Sequence, residues 1–374
     1  MQTSRYLSCF PALLALFTCA LPAFADTIQR IDGERIEDCT ILEEGLRELV
    51  YKPARGAEAR LAAEEVISVE YKRMPKPLEE AATAVSDGKF GEAEDSLEAY
   101  LAELPAEGDK RFKWAPAYAA FRLIEVRNTL GDLAGAASAA DQMIKAHTDS
   151  RYLPQAYLLR AQALRQLDKH KQALEGLAAF EALIREKQLA PALELECRLA
   201  KALVDPALKG VAKRDQIQIV IDALGAQPSP ALARAKAALG EAFLEEALSP
   251  GSAQSAKLFE QAAQTFHSVV AAELADDASL AAAYTGLGEC DYQRGVGKER
   301  KPELVRSALK HFLRVVELYG DQSLYVPRAL FMAGRCFDGL EDPTSRARAQ
   351  SLYRRLASDY PGSHWAEQAK PFTR

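Results

Sequence analysis

One spacing recurs down most of this chain and restricts what the chain can fold into. A residue that is usually small is followed twelve positions on by alanine, then by apolar residues four and seven further along. Ala81, Ala93, Leu97 and Tyr100 carry it, with Pro105 closing the unit. Ile124, larger than the rule prefers, leads to Ala136, Ala140 and Met143, and Ala161 leads to Ala173, Leu177 and Phe180. Near the C-terminus Gly334, Ala349, Tyr353, Leu356 and Pro361 keep the order with a longer turn. A recurring period of paired helices predicts a solenoid, an architecture that usually presents a surface for holding something else.

The first 25 residues read as a targeting segment (residues 1–25) rather than as structure. Arg5 gives a positive start, Leu7 to Leu21 is mostly apolar, and Ala23-Phe24-Ala25 is an A-x-A cleavage signal before Asp26. The apolar run is too short for a membrane anchor, and Pro11 and Pro22 interrupt or end it. A lipoprotein signal is the rival, with Leu16-Phe17-Thr18-Cys19 as its box, but Thr18 stands where such boxes want Gly, Ala or Ser. The expectation is a periplasmic or otherwise exported protein, cleaved after Ala25 and with no stable membrane insertion afterwards. The formal net charge of −6 argues against a general nucleic-acid binder, which needs clustered surplus Lys and Arg. A hydrophobic content of 48% supplies an extended core.

Residues 26–73 are not clearly helical in pattern. Thr27 to Ile31 runs into Asp32-Gly33, a strong hairpin signal, and Ile36, Cys39 and Ile41 follow. Glu44-Gly45 gives a second turn before Leu46 to Tyr51, and Pro53 to Gly56 a third break. The density of β-branched Val66, Ile67 and Val69 makes Val66 to Tyr71 a final strand. Four or five short strands suggest a compact sheet or a small barrel, similar to the Sm-like barrels found at the front of some bacterial exported proteins. Such a module binds a partner or caps the solenoid, whose terminal unit otherwise exposes an apolar face. Met74-Pro75-Lys76-Pro77 reads as the linker into a helical array over residues 74–374.

The array resembles the tetratricopeptide family, in which each unit is a helix, a tight turn and a second helix. The likeness rests on Gly88, Phe90 and Ala93, on Gly131, Leu133 and Ala136, and on Asp168, His170 and Ala173. Glycine permits the turn, and alanine lets the two helices approach closely. Later units lengthen the turn: Gly240 leads to Ala262, Phe266 and Val269, and Gly288 to Ala308, Phe312 and Val315. A unit between Leu193 and Leu224 lacks most of the marks. The mean period is about 42 residues against the family's roughly 34, the excess lying in loops. "GSHWAEQAK" after Pro361 reads as a short terminal capping helix. The fold class expected is mainly α, a tetratricopeptide-like α-solenoid preceded by a small β domain.

The resemblance implies that the first helix of each pair lines a concave groove. Its exposed sites fall six and three residues before the small residue and one, four and five after it. Carried onto this sequence, these include Tyr118, Phe121, Glu125 and Asn128, then Gln155, Leu158, Gln162, Arg165 and Gln166. The last two units give Thr285, Glu289, Tyr292 and Gln293, then Arg328, Phe331, Arg335 and Asp338. Tyr, Phe and Arg are enriched at interfaces. The competing assignment puts some of these aromatics in the core between helices.

No arrangement of catalytic residues stands out. The five histidines form no metal-binding pair at helical spacing, and there is no CxxC, phosphate loop or GxSxG elbow. Cys39, Cys197, Cys290 and Cys336 lack a framework of paired spacings and read as small core residues. The expected function is a non-enzymatic scaffold without cofactor or metal that binds protein or peptide partners. "SDYPGSHWAEQA" resembles segments of periplasmic cell-division coordinators and of the helical lipoprotein of the outer-membrane β-barrel assembly machine, which points to envelope assembly or division. An envelope enzyme or enzyme subunit, or a peptide- or glycan-binding module, are the alternatives.

Overall fold

The computed structural model describes residues 25–105, 108–251, 254–297, 299–340 and 343–373. The apolar leader and the candidate lipidation residue Cys19 lie outside the described residues. Strands β1 (Asp26–Arg30), β2 (Arg35–Glu44), β3 (Glu48–Pro53), β4 (Ala59–Ala62) and β5 (Val66–Glu70) form one antiparallel sheet in the order β4-β3-β2-β1-β5. Among the described residues no pairing joins β4 to β5, so the sheet is open rather than a closed barrel. Strand β4, "ARLA", carries no β-branched residue; it is a strand because each of its residues pairs with β3.

Helices follow in pairs. They are α1 (Lys76–Ser86) with α2 (Phe90–Ala102), α3 (Ala115–Leu130) with α4 (Leu133–Ala146), and α5 (Leu153–Gln166) with α6 (His170–Lys187). Next come α7 (Pro191–Val204) with α8 (Gly210–Leu224), α9 (Pro230–Leu248) with α10 (Ser255–Val270), and α11 (Asp277–Gly295) with α12 (Pro302–Leu318). The last pair is α13 (Val326–Asp338) with α14 (Pro343–Asp359), and the short α15 (His364–Ala369) closes the array. Lys76 and Pro77 of the expected linker already belong to a helix: α1 begins at Lys76 after Pro75, with Pro77 in the first turn, where its missing N–H costs nothing. Ser363 caps α15, its hydroxyl accepting the Ala366 N–H at 3.1 Å.

The recurring spacing is the seam of each pair. Ala93, Ala136, Ala173, Ala262, Ala308 and Ala349 are fully buried at the start of the second helix, and the residues four and seven further along are buried with them. The unit that lacked its marks, α7 with α8, is a helix pair like the others. Lys213 occupies the alanine position, with Ile217 and Val220 buried four and seven residues on. Its aliphatic stem is buried while Nζ donates to Glu245 Oε2 on α9 at 2.6 Å, so a lysine does there what alanine does elsewhere.

Side-chain volumes on the two helices compensate. Where the second helix offers a ring, the first offers glycine: a Cβ on Gly240 would lie 2.6 Å from the Phe266 ring, on Gly288 2.7 Å from Phe312, and on Gly334 2.5 Å from Tyr353. Where the second helix offers Leu97 or Leu177, the first carries Ala81 or Ala161. The one large residue in that place, Ile124, faces a unit whose position four after the alanine is only Ala140. Close packing at constant summed volume explains this reciprocity.

Tight turns need a left-handed residue, supplied by Gly88, Gly131 and, at φ 56°, Asp168. At Gly131 the absent side chain serves a second purpose. A Cβ there would come 3.0 Å from the backbone of Gly362, so the turn of the second pair touches the turn before the C-terminal helix α15. The array therefore curls until its early and late units meet.

The sheet is docked onto the array rather than tethered to it. Ile28, Cys39, Ile41, Leu49 and Val66 share one continuous core with Leu78, Ala81, Leu97, Trp114 and Tyr152. Tyr71 stacks on Trp114 at 3.6 Å between ring centroids, and a buried ion pair joins Glu44 to Arg151. These contacts fix the sheet against the starts of α3 and α5.

The volume rule predicts the outcome of filling a glycine. Gly288→Ala should lower the thermal midpoint, because overpacking against Phe312 costs about 1–3 kcal/mol and exceeds the ~0.5–1 kcal/mol gained in helix propensity. Adding Phe312→Leu should recover part of the loss. A rise in midpoint for Gly288→Ala alone would refute the rule.

Candidate binding cavity on the inner face

Odd-numbered helices pack on one another along the array, α3 on α5, α5 on α7, α7 on α9, α9 on α11 and α11 on α13. They form the inner layer and the even-numbered helices the outer one. Because the array curls, the inner face is not an open groove. It frames a partly open cavity of about 490 Å³, walled by α3, α5, α7, α9 and α11 and bordered by the segment 321–325, which leads into α13. This volume is within the range of ligand pockets, about 300–1,000 Å³. A smaller space of about 110 Å³ lies at the closure, between Asn128, Gly131 and Gln166 on one side and Gly362, His364 and Trp365 on the other.

The groove positions implied by family spacing divide into three sets. Glu125, Asn128, Leu158, Gln162 and Arg165 line the main cavity; Gln166 lines the smaller space, and Gln155 is exposed outside both. Tyr118 and Phe121 belong instead to the docking surface of the sheet. Tyr118 meets Tyr71, Trp114 and Tyr152 edge-on, and Phe121 stacks on Tyr152 at 4.9 Å.

The third set, from the C-terminal units, is a correction. Phe331 is 4% exposed, Tyr292 9%, Glu289 4% and Thr285 1%. Phe331 is covered by residues that follow its helix, packing against Tyr353 of α14, Trp365 of α15 and Phe372. The polar members are paired: Glu289 is buried, while Asp338 is exposed. Glu289 accepts from Arg328 Nη2 at 3.1 Å and from Gln293 Nε2 at 2.8 Å, and Asp338 accepts from the Tyr353 hydroxyl at 2.8 Å. The Arg335 guanidinium lies 5.4 Å from the Phe372 ring. Family spacing alone cannot register a cap that follows the last repeat.

Within the cavity most charges are matched. Arg122 Nη1 lies 2.6 Å from Glu125 Oε2, and Arg234 pairs with Glu196 and, at 2.7 Å, with Asp276. Burial pushes the Glu125 carboxyl above its ordinary range; Arg122 opposes the shift, while Asp321, arriving from the far end of the array, adds to it. Besides the exposed Asp321 of the segment 321–325, two charges in the helical walls have no such match. Among the described residues neither Arg165 on α5 nor Glu241 on α9 makes a hydrogen bond or an ion pair. Burial raises the Glu241 carboxyl, with Arg165, Arg328 and Lys213 pulling the other way. Burial likewise drives the Tyr325 phenol well above its usual value, with the Glu241 charge adding to the shift. Asn128 is more exacting still: both its amide nitrogen and its amide oxygen are buried without a partner.

Glu241, Arg234 and Tyr325 escaped the sequence analysis. The first two were within reach, since the same spacing counted from Gly240 falls on Arg234 and Glu241. Tyr325 sits on a connecting segment, where no helical spacing applies. The four cysteines are free and buried; burial lifts the Cys39 and Cys197 thiols to about 11 and Cys290 to about 12, so they are inert packing groups. Among the described residues no helix is long and apolar enough to cross a membrane.

The two sets should separate on mutation. Phe331→Ala should cost about 3–5 kcal/mol of stability, as large ring deletions in cores do, and Gln162→Ala less than about 0.5 kcal/mol. Thermal melts of both variants test this. Equal, small losses would return Phe331 to an exposed groove.

No protein-family model and no curated protein sequence matches the chain. Solved structures do. A tetratricopeptide repeat protein from Parabacteroides merdae is similar at 14% identity and a TM-score of 0.40, over 80% of this chain and 96% of that one. The apo form of the quorum sensor NprR from B. thuringiensis is similar at 15% identity and a TM-score of 0.41, over 79% of each chain. A Rap protein complexed with competence and sporulation factor is similar at 14% identity and a TM-score of 0.34, over 79% of this chain and 94% of that one. The fold of this chain is an α-solenoid of helix pairs preceded by a small five-stranded sheet.

Proposed function

We propose that this protein is an exported, non-enzymatic scaffold that holds a protein segment or peptide inside the curl of its helical array. The observation that carries the reading is the set of buried polar groups in the cavity wall that the protein itself leaves unmatched, Asn128 above all. A buried amide without partners costs free energy, on the order of 1–3 kcal/mol, and natural proteins retain few such groups. A guest that supplies a donor and an acceptor recovers it. Around these groups Leu158, Leu199 and Leu203 provide the apolar wall that such a site needs.

Export is supported by the leader, with its apolar run and the A-x-A signal ending at Ala25. Work in envelope assembly or division is the finer part of the reading and rests on the segment around Pro361. The acidic net charge favours protein rather than nucleic-acid partners.

The test fills the cavity and follows capture. The purified protein and its Gln162→Trp variant, each shown to be folded by circular dichroism, are compared as baits for envelope extract. The reading expects proteins retained by the natural chain to be lost from the variant. Identical capture by both would move the site off the inner face and onto the β module.

A further inference from the structure

The two unmatched charges in the helical walls of the cavity are of opposite sign and lie on α5 and α9, each of which packs on α7. Each is chemically expensive as it stands. A charge held in a partly dehydrated wall without a partner loses hydration and gains nothing in return. The neighbouring charges of the same wall show the ordinary solution, since Arg122 has Glu125 and Arg234 has Glu196 and Asp276. Arg165 and Glu241 sense one another's charge yet stand too far apart for an ion pair. Both line the same cavity.

We propose that the cavity recognises a small zwitterion, the free α-amino and α-carboxyl groups of an amino acid or a short peptide, with the carboxylate on Arg165 and the ammonium on Glu241. This rests on the inner-face reading above and names its ligand chemistry. A planar guanidinium offers paired N–H donors that match a carboxylate in bidentate fashion, whereas a carboxylate accepts from the three donors of an ammonium. A guest carrying both ends satisfies both walls at no net change in charge. Asn128 fits the same guest, because its unmatched NH2 and C=O are the complement of one peptide group. A long protein segment threading the array would meet the closure instead, where Gly131 abuts Gly362 and the segment 321–325 borders the cavity.

Titration calorimetry on the full-length protein separates the contributions. The probes are L-alanine, trialanine with free ends, N-acetyl-trialanine and trialanine amide. Binding by alanine, by free trialanine or by both supports the inference and reports which source the site prefers. Blocking either end of the bound probe should weaken it about tenfold to a hundredfold, the worth of a charge-assisted contact. Arg165→Gln should bind the amide and the free acid equally, and Glu241→Gln should bind the acetylated and free amines equally. Neither change strips a partner from another side chain, so both variants should melt close to the natural protein.

Equal binding of free and blocked probes would overturn end recognition while leaving a peptide site in place. If no probe binds but Gln162→Trp still loses its captured proteins, the zwitterion is wrong and the inner-face reading survives. If no probe binds and capture is unchanged, both fail.

Discussion

Everything in this fold depends on how closely the two helices of a pair can approach. The contact is a small surface on the first helix receiving a side chain from the second, and its summed volume is held nearly constant. Gly288 admits Phe312, Gly334 admits Tyr353, Ala161 admits Leu177, and bulky Ile124 is balanced by Ala140. Protein interiors pack like crystals, so an excess methyl on one side must be removed from the other. With that distance fixed, the odd-numbered helices stack into an inner layer, the layer curves, and the cavity is where its curvature closes.

Closure of the array makes its inner face a partly open cavity rather than a groove. Gly131 and Gly362 touch backbone to backbone only because neither has a side chain to interpose. The sheet docks at the starts of α3 and α5 through Tyr71 on Trp114 and Glu44 on Arg151, and α15 covers the last pair through Trp365 on Phe331. The terminal helix covers an apolar face that a stack of repeats would otherwise expose at its end. Aromatic side chains that an open array would offer to partners are used in this chain for packing.

Much of the architecture was legible because it is local. The twelve-residue step from small residue to alanine, the turn glycines Gly88 and Gly131 and the short helix after Pro361 are each local features, and each is found where the sequence puts it. The α7–α8 pair was hard to read because Lys213 stands at the alanine site, and a lysine buried to its ammonium looks like a surface residue until Glu245 on α9 is known to meet it. Strand β4 was unreadable for the same reason: only its pairing with β3 makes "ARLA" a strand. Half of the inner face was also legible, from Glu125 to Arg165. What failed was the C-terminal half, where Tyr292 and Phe331 have the right spacing for the inner face but are buried, Phe331 beneath residues that follow its helix. Tertiary closure by residues far along the chain leaves no local signature.

The claim most open to direct measurement is that the array is closed. Spin labels placed on the exposed residues Ala134 and Glu367 flank the Gly131–Gly362 contact, and the native thiols from Cys39 to Cys336 are buried and will not compete. With Cys9 and Cys19 replaced by serine, the inter-label distance can be read by pulsed dipolar spectroscopy in solution. The closed array predicts a single narrow distribution at short separation. A broad distribution extending to the span of an open solenoid would contradict it, and with it the cavity.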